Sequence, residues 1–342
     1  MTVMRNRWLT CCLQGALVMS LAAAVVANPV LPLPPPPEAT AAALDPGAPV
    51  EPVAEDLLFA SPTRLDHIGR VTVMVTVNDR GPFRFIVDTG ANYSTVSPRL
   101  LTELGLQAKP GSSILVDGIT GSAQVPAVSI RKLQAGSLVI DNMRLPIVWA
   151  PLMAGADGIL GVANLTNEKL LVDFEHNSVQ ISRPTHTALP RGVTRVVAKR
   201  IRGGLMSIPG TVGGVHVLAI IDTGSERTIA NSALREALLA RSHHGEKSGQ
   251  SVPVYGATTD VEIGDLDVSP LIDLGPIRIG RVNLVYGHFH IFEVWNIADR
   301  PAIVVGMDIL GTVSSFTIDF RQAQLLIESK LHFESYPTTV TR

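Results

Sequence analysis

The sequence predicts an all-β fold in two tandem copies. Three observations predict it: an Asp-Thr-Gly triplet that occurs twice, matching landmarks in one order around each triplet, and short alternating strands between them. Phe85-Ile86-Val87-Asp88-Thr89-Gly90 returns 134 residues later as Ala219-Ile220-Ile221-Asp222-Thr223-Gly224. Each copy is an apolar run, with the character of a buried strand, that ends in a carboxylate, a small hydroxyl and a glycine. A lone copy reads as a strand ending in a β-turn, with Asp bonding its own backbone and Gly supplying φ > 0. Two copies point to another arrangement, in which each half delivers one Asp to a shared site. A buried carboxylate is costly unless it is hydrogen-bonded or neutral. Two held close together keep one proton between them and can act as acid and base at once on a water molecule.

The repeat extends well beyond the triplets. After Asp88, Ser97 reads as an N-cap, Pro98 as the first helical residue and Gly105 as the stop of a short helix. At the same offset after Asp222, Asn231 to Leu239 make a second capped helix. Turn-rich segments follow, Val116 to Gly121 in one half and Val254 to Thr259 in the other; their glycines, Gly118 and Gly256, lie 30 and 34 residues past the respective Asp. Leu133 to Ile140 and Ile272 to Ile279 read as the alternating strands of an antiparallel meander. The halves also close alike. Asp157 to Leu165 corresponds to Ala302 to Leu310, and Leu171-Val172-Asp173-Phe174 matches Thr317-Ile318-Asp319-Phe320, each before a polar turn and a final strand. The chain reads as a tandem duplication of one mostly-β domain.

This order resembles the retropepsin-like aspartic proteases: hydrophobic-hydrophobic-Asp-Thr-Gly, a glycine-bearing flap hairpin, then hydrophobic-hydrophobic-Gly before a short helix. The small capped helix after each Asp loop and the Gly306-Met307-Asp308-Ile309-Leu310 ending are similar to the bacterial branch. The resemblance implies two closed β lobes in a pseudo-two-fold bilobal fold, with an inter-lobe cleft covered by flap hairpins. It implies an aspartic endopeptidase in which Asp88 and Asp222 activate a water against a peptide bond. Thr89 and Thr223 are then expected to bond across to the opposite loop, while Gly90 and Gly224 let backbone amides approach the carboxylates. A chain carrying both lobes implies a monomer with one internal site; two sites formed in trans in a dimer are the alternative. The other functional reading is a non-catalytic peptide-binding or regulatory protein on the same scaffold, against which two intact triplets speak.

The halves differ where the dyad could feel it. Ala91 follows the first triplet and Ser225 the second, and a hydroxyl donated from Ser225 to Asp222 would leave Asp88 holding the proton more often. Ser225 bonding within its own loop is the other reading. Tyr255-Gly256 is similar to the flap tyrosine-glycine of pepsin-like enzymes, where the ring covers the cleft. Asp117-Gly118 occupies the matching place, either as a turn Asp in solvent or as a selector for basic substrate residues.

Composition sets the remaining bounds. With 46% hydrophobic and 17% charged residues, 342 residues can bury two cores. Lys and Arg number 28 against 30 acidic residues, with no basic stripe, which argues against nucleic acid. Residues 1–27 read as an export signal: Arg5 and Arg7, an apolar stretch from Trp8 to Val26, and a small-residue cleavage site at Ala27. A periplasmic or secreted protein is expected. An uncleaved segment would instead tether it to the inner membrane, facing the periplasm. Cys11 and Cys12 both fall inside that segment. Residues 28–60 read as a Pro/Ala-rich linker, 61–183 and 203–330 as the two lobes, 184–202 as an inter-lobe linker and 331–342 as a tail. No His-Glu-x-x-His, Gly-x-Ser-x-Gly or P-loop is present. His243-His244 lies in a Ser/Gly/Lys-rich loop, and His288 and His290 alternate along an expected strand, so no metal and no cofactor is expected. Asp260, Asp265 and Asp267 read as solvated surface acids.

Overall fold

A computed structural model describes residues 57–62, 64–65, 69–136, 138–148, 153–184, 189–242 and 249–329. The expected signal segment and its cysteines, most of the 28–60 linker, His243-His244 and the tail lie outside them. The described residues belong to one compact unit, Val53–Arg342. They form three sheets with four short helices: α1 (Pro98–Leu104), α2 (Ser232–Arg241), α3 (His290–Val294) and α4 (Met307–Leu310). None of these helices is long and apolar enough to cross a membrane.

One sheet joins the two halves. Its strand order is Leu57–Pro62, Ser178–Ser182, Lys169–Asp173, Ser315–Asp319, Gln324–Glu328 and Val193–Val197, all antiparallel. The seam sets Leu170 opposite Ile318 and Val172 opposite Phe316. Strand alternation puts these four side chains on one face, with Val179, Ile181, Leu325 and Ile327 beside them, all buried. Each such large apolar side chain contributes about 1.5–3 kcal/mol by leaving water. The seam is therefore held by core packing as well as by its ladder.

The other two sheets repeat one local design. Arg80–Asp88 runs parallel to Gly158–Gly161, which pairs antiparallel with Thr95–Val96. Val215–Ile221 runs parallel to Ala302–Val305, which pairs antiparallel with Ile229–Asn231. Parallel strands are covered on both faces, which explains the unbroken apolar runs Phe85-Ile86-Val87 and Ala219-Ile220-Ile221, all buried. Each apolar strand ends where its Asp begins. The helix caps follow the sequence as well. Ser97 Oγ accepts from Leu100 N and Gly105 closes α1 at φ 68°, while Asn231 Oδ1 accepts from Leu234 N at the start of α2.

Three expectations need correction. The segment 184–202 is more than a linker, because Val193–Val197 is an edge strand of the joining sheet and Lys199–Arg200 pairs with Met206–Val212. A boundary at residue 60 falls inside the strand Leu57–Pro62, which holds the opposite edge. His288 and His290 do not alternate along a strand: Asn283–Gly287 ends before them, and His290 opens α3.

Candidate active site

The two Asp-Thr-Gly loops meet where the apolar strands stop. Thr89 Oγ1 donates to the Ile221 carbonyl at 2.8 Å, and Thr223 Oγ1 donates to the Val87 carbonyl at 2.6 Å. Each hydroxyl also accepts the other threonine's backbone N–H, at 3.1 Å both ways. These four bonds lie in a buried environment, where an unmade bond would cost about 1–3 kcal/mol. They clamp one loop to the other by their own main chains.

The clamp brings the carboxylates together. Asp88 and Asp222 hydrogen-bond each other through their side chains, and each also accepts the amide of its own loop glycine at 2.8 Å. A Cβ on Gly90 would collide with the Asp222 carboxyl, and one on Gly224 with that of Asp88. Glycine is required at both places by close approach, not by backbone angle.

Burial pushes both carboxyls above the ordinary carboxylate range. Asp222 is pushed furthest, first by burial (it is 8% exposed) and then by the charge of Asp88, against the amides of Gly224 and Ser225. Asp88 is half-buried; the bond from Asp222, the Gly90 amide and the Arg70 guanidinium all draw it back down. Arg70 is itself only 5% exposed and lines the same cleft. A carboxyl–carboxyl hydrogen bond needs one proton, which the pair holds between them.

Above the pair lies a cleft of about 590 Å³. The hairpin of Ser113–Gly118 and Gly121–Ala135 turns Ile114 and Val116 toward it, and the hairpin of Gln250–Tyr255 and Val261–Val268 turns Val252 and Val254. Ile291 and Trp295, on and beside α3, complete an apolar wall. The hairpin tips touch. Thr120 Oγ1 lies 3.2 Å from Thr258 Oγ1, and a Cβ on Gly256 would come within 2.6 Å of Thr120 Oγ1. Gly118 packs against the backbone of Ala257.

Residues 73–163 match the aspartyl protease family model. The match supports an aspartyl protease family, and at that coarse level a hydrolase, for the half that carries Asp88. Asp222 lies beyond its end. No curated protein matches the chain.

Individual side chains refine the sequence reading. Ser225 Oγ donates to the Arg227 carbonyl at 2.9 Å, within its own loop, so its hydroxyl gives no support to Asp222 and no reason for Asp88 to hold the proton. Tyr255 lines the cleft and is 55% exposed. Asp117 is exposed at the hairpin end and accepts from Ser122 Oγ at 2.5 Å. Asp265 pairs with Arg235. Sequence reasoning missed Arg70 and the wall formed by α3. Arg70 reads locally as one charge before a β-strand, and nothing near it in sequence marks its nearness to Asp88.

Proposed function

We propose that the protein is an aspartic endopeptidase of two tandem retropepsin-like lobes, with Asp88 and Asp222 as its catalytic dyad. The observation that carries this reading is the reciprocal threonine clamp, since it has no evident use except to hold two costly carboxylates against each other. Asp222 carries the shared proton and Asp88 is ionised. Asp88 takes a proton from a water as that water attacks the scissile carbonyl carbon, and Asp222 gives its proton to the carbonyl oxygen. Collapse of the tetrahedral intermediate breaks the C–N bond, with the amine leaving protonated by the dyad. The two hairpins act as flaps that exclude water from the cleft, whose apolar lining suits apolar side chains of an extended peptide. The N-terminal signal reading puts this activity in the periplasm or outside the cell, and two lobes in one chain make it a monomer's work.

Peptide-library cleavage between pH 3 and 8 tests the reading. Asp88→Asn and Asp222→Asn should each lower kcat by at least about 10²–10⁴-fold, the usual worth of a positioned acid or base. Turnover that survives either substitution would refute a shared dyad. A folded protein with no turnover and no affinity for a statine-type inhibitor would favour a binding scaffold.

A further inference from the structure

The first hairpin is tied to the far wall of the cleft by side chains outside the dyad. Ser122, next to the hairpin turn, donates its only proton to Asp117 Oδ1 across the hairpin. Ser122 Oγ lies 2.8 Å from His290 Nε2. With the serine proton committed, the imidazole must be the donor there. His290 opens α3, the helix that carries Ile291 into the cleft wall. Glu293, one turn on, reaches back toward both neighbouring imidazoles: Oε2 stands 3.8 Å from His290 Nδ1, and Oε1 accepts His288 Nε2 at 2.9 Å. Glu262 and Asp260 on the second hairpin add carboxylates around the same junction. The chain Asp117–Ser122–His290 thus crosses from a roof element of the first half to a wall element of the second.

We propose that Asp117, Ser122 and His290 form a latch that holds the first hairpin closed over the cleft, with Ser122 and His290 as positioning residues for that closure. The hairpin is a sheet edge, with Ser113–Gly118 outermost, so no further strand restrains it. Its other ties to the second half include the threonine pair at the tip, the packing of Gly118 and Thr120 against the second hairpin, and the contact of Ser113–Gly118 with α3. A peptide long enough to fill the cleft needs this roof to lift, and the latch sets how often it does. The consequence for turnover rests on the protease reading above; the latch itself does not.

The test is a distance measurement on the full chain. Spin labels at Leu115→Cys, on the exposed face of the hairpin, and Asp299→Cys, on the second half, are read by double electron–electron resonance with Cys11 and Cys12 changed to Ser. Ser122→Ala and His290→Ala should each increase the long-distance population about fivefold, the effect of losing one hydrogen bond's net worth. His290→Gln, a neutral side chain with an N–H donor, should restore the short distance. A distribution unchanged by both alanines, or not restored by glutamine, overturns the latch. In the peptide assay, the two alanine variants should change KM more than kcat, and glutamine should again restore. A shifted distribution in a protein that cleaves no peptide would leave the latch standing and remove the protease reading.

Discussion

The loop that ends in Asp88 and the loop that ends in Asp222 are built from the same bonds, yet their surroundings diverge within one residue layer. In each, a threonine grips the opposite main chain, a glycine makes room for the opposite carboxylate, and the preceding strand runs parallel to a short partner. Beyond that layer the symmetry fails. Arg70 stands immediately before the strand Val71–Val77, where the second half has the buried Leu205 before Met206–Val212. The second half adds α3, which has no counterpart among the described residues of the first. Its long hairpin return is also interrupted: Gly121–Ala135 is continuous, whereas Val261–Val268 and Ile272–Leu274 are separated around Pro270, which has no N–H to give a ladder. What is symmetric creates the pair of carboxylates, and what is asymmetric tells them apart.

The largest effects should fall on the symmetric layer and be equal in the two halves. Gly90→Ala and Gly224→Ala each drive a methyl into the opposite carboxyl. Displacing reacting groups by about 1 Å costs about 10²-fold, so each variant should lose at least that much kcat/KM in the peptide assay. A loss confined to one glycine would mean that only one carboxylate matters.

Thr89→Val and Thr223→Val come next. Each removes one donor to a buried carbonyl and one acceptor for a buried amide, so each should destabilise by about 2–4 kcal/mol in denaturant melts. The four bonds are distinct but close one junction, so losing either pair loosens the other and the double variant should cost clearly less than the sum. Simple additivity would show that the clamp is two independent contacts.

Much of this layer is legible in sequence because it is local. An apolar run that stops at Asp-Thr-Gly, a serine before a proline, and a glycine seven residues on each state their own geometry. What escapes is decided by distant partners. Val193–Val197 is half exposed and carries Thr194 and Arg195 mid-strand; only the edge of Gln324–Glu328 makes it a strand. His288-Phe289-His290 has the alternation of a strand and becomes the entry to α3 because Phe289, Phe292 and Trp295 pack together. Ser225 could be expected at the dyad from spacing alone, and it turns to Arg227 because a nearer carbonyl is available.

The carboxylates should also differ in what they cost the fold. Asp222 is held well above the 3.8 of an unfolded aspartate, mainly by burial. A raised folded-state value means that stability is greatest when the proton is kept and falls as pH rises through the interval between the unfolded and folded values. Asp222→Asn, always neutral, should therefore melt above wild type at pH 7, by about 2–4 °C for each kcal/mol relieved, with the gain gone below about pH 3.8. Asp88→Asn should gain less, because Arg70 and two amides already support the Asp88 charge. Equal gains would erase the assignment of the proton to Asp222.

The smallest and most discriminating effect belongs to Arg70. Its guanidinium lowers the Asp88 carboxyl, opposing the burial that raises it. If Asp88 is the ionised member, activity sets in from the acid side as Asp88 loses its proton. Arg70→Met keeps an apolar stem in the wall but removes the charge, so Asp88 should titrate higher and the acid limb of the kcat/KM profile should move to higher pH. The alkaline limb, which reports loss of the proton from Asp222, should move less, because the effect of Arg70 falls on Asp88. The reciprocal change, Leu205→Arg, cannot be used, since that side chain is wholly buried and an added charge would threaten the fold. The two limbs therefore serve as each other's control. Movement of the alkaline limb alone would assign the charge to Asp222 and reverse the roles of the two halves.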